Sequence, residues 1–219
     1  MYQPAHFVER DPQTLLALMK AHPLATLIRG GAELAADVLP LEVELVGDTW
    51  RITAHVARAN PLWREADEQP VLLVFQGPQA YVSPSWYASK AEHHKVVPTW
   101  NYAMVQVHGT LRAIDDPTRV HALVTRLTAA HEGGRDTPWH VSDAPEDFIA
   151  ATQRAIVGIE IEVARVEGKF KLSQNRSAAD RTGVVLGLGA DATAGRQPEA
   201  DALAQAMQAV EQRRRDAAD

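Results

Sequence analysis

Four short stretches of this chain gather side chains able to hold an anion or a flat ring. The first is Thr53-Ala54-His55-Val56-Ala57-Arg58-Ala59-Asn60-Pro61-Leu62-Trp63. It reads as a strand running into a short helix opened by Asn60-Pro61. Helix starts leave backbone N–H groups unpaired and carry partial positive charge, and Arg58 adds a bidentate donor fork, so the stretch suits phosphate. The same residues also read as an ordinary strand-to-helix turn with a surface arginine. The second stretch runs from Phe75 to Tyr87 and the third is Pro98-Thr99-Trp100-Asn101-Tyr102. Together they hold six of the chain's 13 aromatic residues within 28 positions. Aromatic residues this dense in loop-forming sequence either cover a core or line a pocket for a flat ligand. His93-His94, between them, reads as solvated loop, because adjacent positions rarely point at one metal ion. The fourth stretch, Gly168 to Ser177, places Lys169, Lys171 and Arg176 among Ser173, Gln174, Asn175 and Ser177. In an extended strand Lys169, Lys171 and Ser173 share one face, and Phe170 and Leu172 the other. That face either receives an anion or guards a basic edge strand against aggregation.

These residues must be positioned by elements that the sequence also announces. Asp11-Pro12, Asn60-Pro61 and Asp116-Pro117 each set a capping side chain before a proline suited to the first helical position. The first helix should end before Pro23. The second has room for about two turns, Leu62 to Ala66. The third carries an apolar stripe of Val120, Leu123, Val124 and Leu127 and should end near Gly133-Gly134. A fourth is expected over Glu146 to Ala155. Strand-like runs cover 24–29, 37–45, 49–56, 71–75, 80–83, 103–114 and 156–166. Met104 to His108 and Ile159 to Val163 alternate cleanly, as in a sheet with one dry and one wet face. The order predicts an antiparallel barrel with flanking helices, mainly β, and no doubly wound sheet. Residues 187–198 read as a Gly/Ala/Asp-rich linker. Leu203, Met207 and Val210 then form a narrow apolar seam on a helix ending in Arg213-Arg214-Arg215, docked on its own domain or completing a partner subunit. The expected division is a domain over 1–188 and a linker with helical tail over 189–219.

Composition removes several function classes. With 219 residues and no cysteine, the chain is long enough to bury a core without staples and has no disulfide, thiolate nucleophile or Cys-based metal site. The formal net charge of −6 has the wrong sign for a surface that grips nucleic acid throughout. No apolar run approaches the roughly 20 residues of a membrane span, and the N-terminus lacks signal-peptide character. A soluble, cytoplasmic protein is expected. GxSxG, GxxxxGK[ST], HExxH and GxGxxG are absent from the sequence.

The strings HVARANPLW, FQGPQAYVSPSWY, VPTWNY, VHGTL and GKFKLSQNRS, in this order, resemble the PaiB-type FMN-binding negative transcriptional regulators of bacteria, over about residues 1–188. The resemblance implies a flavin-type split barrel working as a homodimer with FMN at the subunit interface. It implies phosphate contacts at His55, Arg58 and Asn60, with Lys171 and Ser173 as further candidates. It implies ring walls from Trp86, Tyr87, Trp100 and Tyr102, edge contacts from Asn101, Gln106 and Gln174, and His108 near the ring or the dimer seam. Flavin chemistry resides in the cofactor, so no catalytic residue is assigned. The expected function is a flavin-dependent oxidoreductase or redox-sensing regulator. One alternative is a negative regulator acting by DNA or partner binding, although no helix-turn-helix or basic recognition helix is visible. Another is a haem-binding or haem-degrading split barrel.

Overall fold

A computed structural model describes residues 1–31 and 33–216. The strands are β1 (Val8–Glu9), β2 (Leu24–Arg29), β3 (Ala35–Pro40), β4 (Glu42–Val46), β5 (Thr49–Ala57), β6 (Pro70–Val82), β7 (Thr99–Ile114) and β8 (Ile156–Lys171). The helices are α1 (Pro12–Ala21), α2 (Leu62–Glu65), α3 (Lys90–His93), α4 (Pro117–Glu132), α5 (Glu146–Arg154), α6 (Ala178–Thr193) and α7 (Ala200–Asp216). The sheet order is β3-β2-β6-β7-β8-β5-β4, with β1 added beside β8. The β2–β3, β2–β6, β4–β5, β5–β8 and β1–β8 pairs are antiparallel. The strands at the two ends of this order, β3 and β4, are joined through Leu41 alone, so the sheet closes on itself as a split barrel. Among the described residues no helix is long and apolar enough to cross a membrane.

The expected helix starts hold where the caps act. Asp116 accepts the Arg119 N–H at 2.8 Å ahead of α4, and Asp11 accepts the Thr14 N–H at 2.8 Å in α1. The α4 stripe buries Val120 and Leu123 against Ile114, with Val124, Leu127 and Ile156 packed alongside. Several strand boundaries differ from expectation, among them β7, which starts at Thr99 and so takes in Trp100 to Tyr102. The run 37–45 is two strands, because the Leu41 N–H turns aside to the Pro23 carbonyl at 2.9 Å. The runs 71–75 and 80–83 are one strand, with Gly77-Pro78 inside it. Gly77 and Pro78 are both buried, a break in the alternation of the kind at which proline is tolerated. β2 pairs with β6 only over Val71–Val74, and beyond it the edge is covered by side chains. Gln197 accepts the Tyr81 N–H at 2.7 Å and donates to the Tyr81 carbonyl at 3.1 Å, and Glu199 accepts the Gln79 N–H at 2.9 Å. Finally, β8 runs on to Lys171, absorbing the start of the basic stretch.

The expected linker is also shorter. α6 continues to Thr193, and the boundary drawn at residue 188 falls inside it. Two glycines of α6 pack against Trp86, and one of them, Gly187, opens the stretch that reads as a linker. A Cβ on Gly183 would lie 2.0 Å from the Trp86 carbonyl oxygen, and one on Gly187 would lie 2.2 Å from the Trp86 ring. The glycines clear a seat for Trp86.

The chain divides into two compact units that interleave in sequence. One comprises 1–15, 76–105 and 167–219, with Phe7, Val82, Phe170, Leu172, Leu188 and Leu203 in its core. The other comprises 16–75 and 106–166, with a core around Leu27, Ile52, Leu73, Leu111 and Ile159.

Candidate cofactor-binding residues

In the first unit the start of β7 lies beside the end of β8. Alternation along β7 buries Asn101 and Ala103 while Trp100 stays exposed and Tyr102 half-buried. The Lys169 ammonium lies 5.5 Å from the centroids of both the Tyr102 and Tyr2 rings. Tyr81 meets Trp100 edge to face at 6.3 Å. The Lys171 ammonium donates to Thr99 Oγ1 and to the Trp100 carbonyl. Burial and then the like charges of Lys169 and Arg176 push its pKa below the ordinary lysine value. Neither Lys169 nor Lys171 has a carboxylate partner among the described residues. Two neighbouring ammonium groups without a carboxylate partner among the described residues, beside exposed rings, have the chemistry to receive an aromatic anion.

Beneath this face lies a buried polar pair. Asn101 Nδ2 donates to Ser173 Oγ at 2.9 Å, and Asn101 Oδ1 has no hydrogen-bond partner. Ser173 holds a left-handed backbone, φ 63°, as the chain turns from β8 toward α6. Gln174 fastens that turn, accepting the Leu172 N–H at 2.7 Å and donating to the Phe170 carbonyl at 2.5 Å. Gln174 therefore spends both ends of its amide on the backbone, in place of the ring-edge role expected of it. Tyr87 is buried at 3% exposure with the Arg176 guanidinium 4.8 Å over its ring, and burial pushes its phenol up. Trp86 sits on α6. These two rings, expected as walls for a ligand, are used in packing, whereas Trp100, Tyr102 and Lys171 face outward over Asn101 and Ser173.

The second unit holds the other candidates. His55 on β5 pairs with Gly158 on β8; its Nδ1 is buried without a hydrogen bond, and burial holds its pKa below the ordinary value. The Arg58 fork is already engaged: it donates to Asp115 at 2.6 Å and to the carbonyls of Arg154 at 2.7 Å and Ile156 at 3.1 Å. Asn60 Oδ1 accepts the Leu62 N–H at 2.9 Å, and α2 has only four residues. The helix start expected to seat phosphate thus has one donor already satisfied and too few aligned peptides for a sizeable dipole. Gln106 and His108 occupy half-buried positions of β7. Lys169 lies on the anion-receiving face expected of the fourth stretch, whereas Thr99, which accepts from the Lys171 ammonium, was not among the expected site residues.

The chain matches the family model described as "Putative FMN-binding domain" over residues 1–165. It is 31% identical over 188 residues to protease synthase and sporulation protein PAI 2 of Bacillus subtilis, covering 84% of this chain and 87% of that protein. The chain belongs to the PaiB-type FMN-binding family. An uncharacterized protein of Aspergillus fumigatus is 36% identical over 154 residues, 62% of this chain, and the chain spans only 58% of that relative's length. Among solved structures, the FAD and heme binding protein from Mycobacterium smegmatis aligns with a TM-score of 0.57 at 17% identity, covering 80% of this chain and 78% of that one. The flavocytochrome Anf3 from Azotobacter vinelandii aligns at 0.54 and 18%, covering 80% and 75%. At these identities the likeness establishes the PaiB-type chain's split-barrel fold.

Flavin mononucleotide is a flat ring joined to a phosphate dianion, and the residues fit it. The paired ammonium groups meet the charge requirement, and Trp100 and Tyr102 supply flat surface.

Proposed function

We propose that this protein binds FMN, works as a homodimer, and uses the flavin as an oxidoreductase or redox-sensing regulator. The observation that carries the reading is the Lys169–Lys171 pair, set without a carboxylate beside Trp100 and Tyr102. Its chemistry answers a phosphorylated flat ring, and family membership selects FMN among such ligands. Lys171 would hold the phosphate, with Lys169 adding charge, and the outward rings would flank the isoalloxazine. Bound FMN supplies one- or two-electron transfer. The chain's own part is to bind, orient and shield the ring. The exposed Trp100 and half-buried Tyr102 on one strand support a second copy closing over this face.

Direct operator binding gains little from the tail. Arg213 pairs with Glu9 at 2.8 Å, which withdraws one of the three terminal arginines, and a net charge of −6 surrounds the remainder. A regulatory role would then follow from the redox state of the cofactor.

The test is an FMN titration followed by absorbance and fluorescence quenching. Wild type should bind with flavin bands, and Lys171→Gln should weaken binding by about ten-fold or more with its melting temperature kept. A Soret band on haem titration with no response to FMN would overturn the assignment.

A further inference from the structure

α6 and α7 lie beyond the residues matched by the family model, and they enclose a cleft of their own of about 310 Å³. Its floor is apolar: Leu172 from the end of β8, Val185 from α6, and Met207 and Val210 from α7. Its rim is cationic. Arg181, Arg214 and Arg215 line it against one carboxylate, Glu211. Arg181 is neutralised by that carboxylate through two bonds at 2.8 and 2.9 Å. Arg214 reaches only the Gln174 carbonyl, at 3.4 Å or more, and Arg215 makes no hydrogen bond or ion pair among the described residues. Arg214 and Arg215 therefore stand at the mouth of an apolar cleft without an ion pair among the described residues, sharing the field of Glu211 with Arg181, in a chain whose overall charge is −6.

We propose that this cleft binds an amphipathic organic acid, an alkyl or aryl carboxylate, independently of the flavin. Guanidinium forks match carboxylate geometry, the apolar body rests on Leu172, Val185 and Val210, and the unbranched Met207 adapts to its shape. The volume sits at the small end of ligand sites.

The experiment uses the full chain and measures displacement of 8-anilinonaphthalene-1-sulfonate by decanoate, with decanol as the uncharged comparison. Decanoate should displace the dye saturably and decanol should bind about ten-fold more weakly. The double variant Arg214→Ala/Arg215→Ala should lose that preference while keeping its melting temperature. Val210→Trp, which fills the floor, should abolish displacement by both. Absence of saturable displacement, equal binding of decanoate and decanol, or an unaltered preference in the double variant would overturn the proposal. So would a folded wild-type dimer that Val210→Trp converts to monomer, since the cleft would then be a contact between copies. If Val210→Trp fails to fold, the arginine variant decides alone.

Discussion

Arg58 shows how a residue suited to one role can be committed to another. Its guanidinium ties the end of β5 to Asp115 and to the carbonyls where α5 gives way to β8. Arg58→Ala should lower the melting temperature, and a variant melting with wild type would show that these bonds contribute nothing. His55 carries a pH signature. Its ordinary pKa is 6.5 and burial lowers it, so the folded chain protonates it only at lower pH than the unfolded chain does. The unfolded chain then binds more protons, so this contribution to stability is complete above about 6.5 and is lost as pH falls toward the lowered folded value. The fall in melting temperature from about pH 7 to about pH 5 should be shallower in His55→Gln than in wild type. Parallel curves would contradict this. Lys171 behaves in the same sense through its own lowered pKa: FMN affinity should weaken at alkaline pH below the ordinary lysine value of 10.5.

At the scale of elements, α6 offers a test in which two effects oppose each other. Replacing a helical glycine by alanine favours the helix by up to about 1 kcal/mol. At Gly187 the added methyl meets the Trp86 ring, and overpacking of this kind costs about 1–3 kcal/mol. Gly187→Ala should therefore lower stability, while Gly189→Ala, with nothing within 4 Å, should raise it. Thermal melts of both settle the sign. The same helix shows what the sequence could and could not convey. Capping pairs such as Asp116-Pro117 act locally and were legible, as was the α4 stripe, because period and cap lie within a few residues. α6 was hidden because its glycines serve a tryptophan about 100 positions away. The continuity of β6 was hidden because its edge is satisfied by Gln197 and Glu199, far along the chain. In the candidate site, residue types were legible, but their assignments were not. Nothing near Gln174 or Trp86 in sequence shows that the amide staples a turn or that the ring has a seat on a helix.

For the molecule as a whole, each compact unit draws on separated stretches of chain, so each depends on long-range contacts. This bears on the tail. α7 buries Leu203 and Met207 and its Arg213 pairs with Glu9, so it belongs to the unit that carries Lys169 and Lys171. Truncation before Ala200 should destabilise that unit and reduce FMN retention, read by melting temperature and by flavin absorbance of the purified protein. The solution mass should be that of two chains. The most direct measurement is FMN titration of the wild type beside Lys171→Gln and Lys169→Gln, each checked for folding. The account predicts tight binding by the wild type and marked loss in both folded variants. Equal affinity in all three would contradict it.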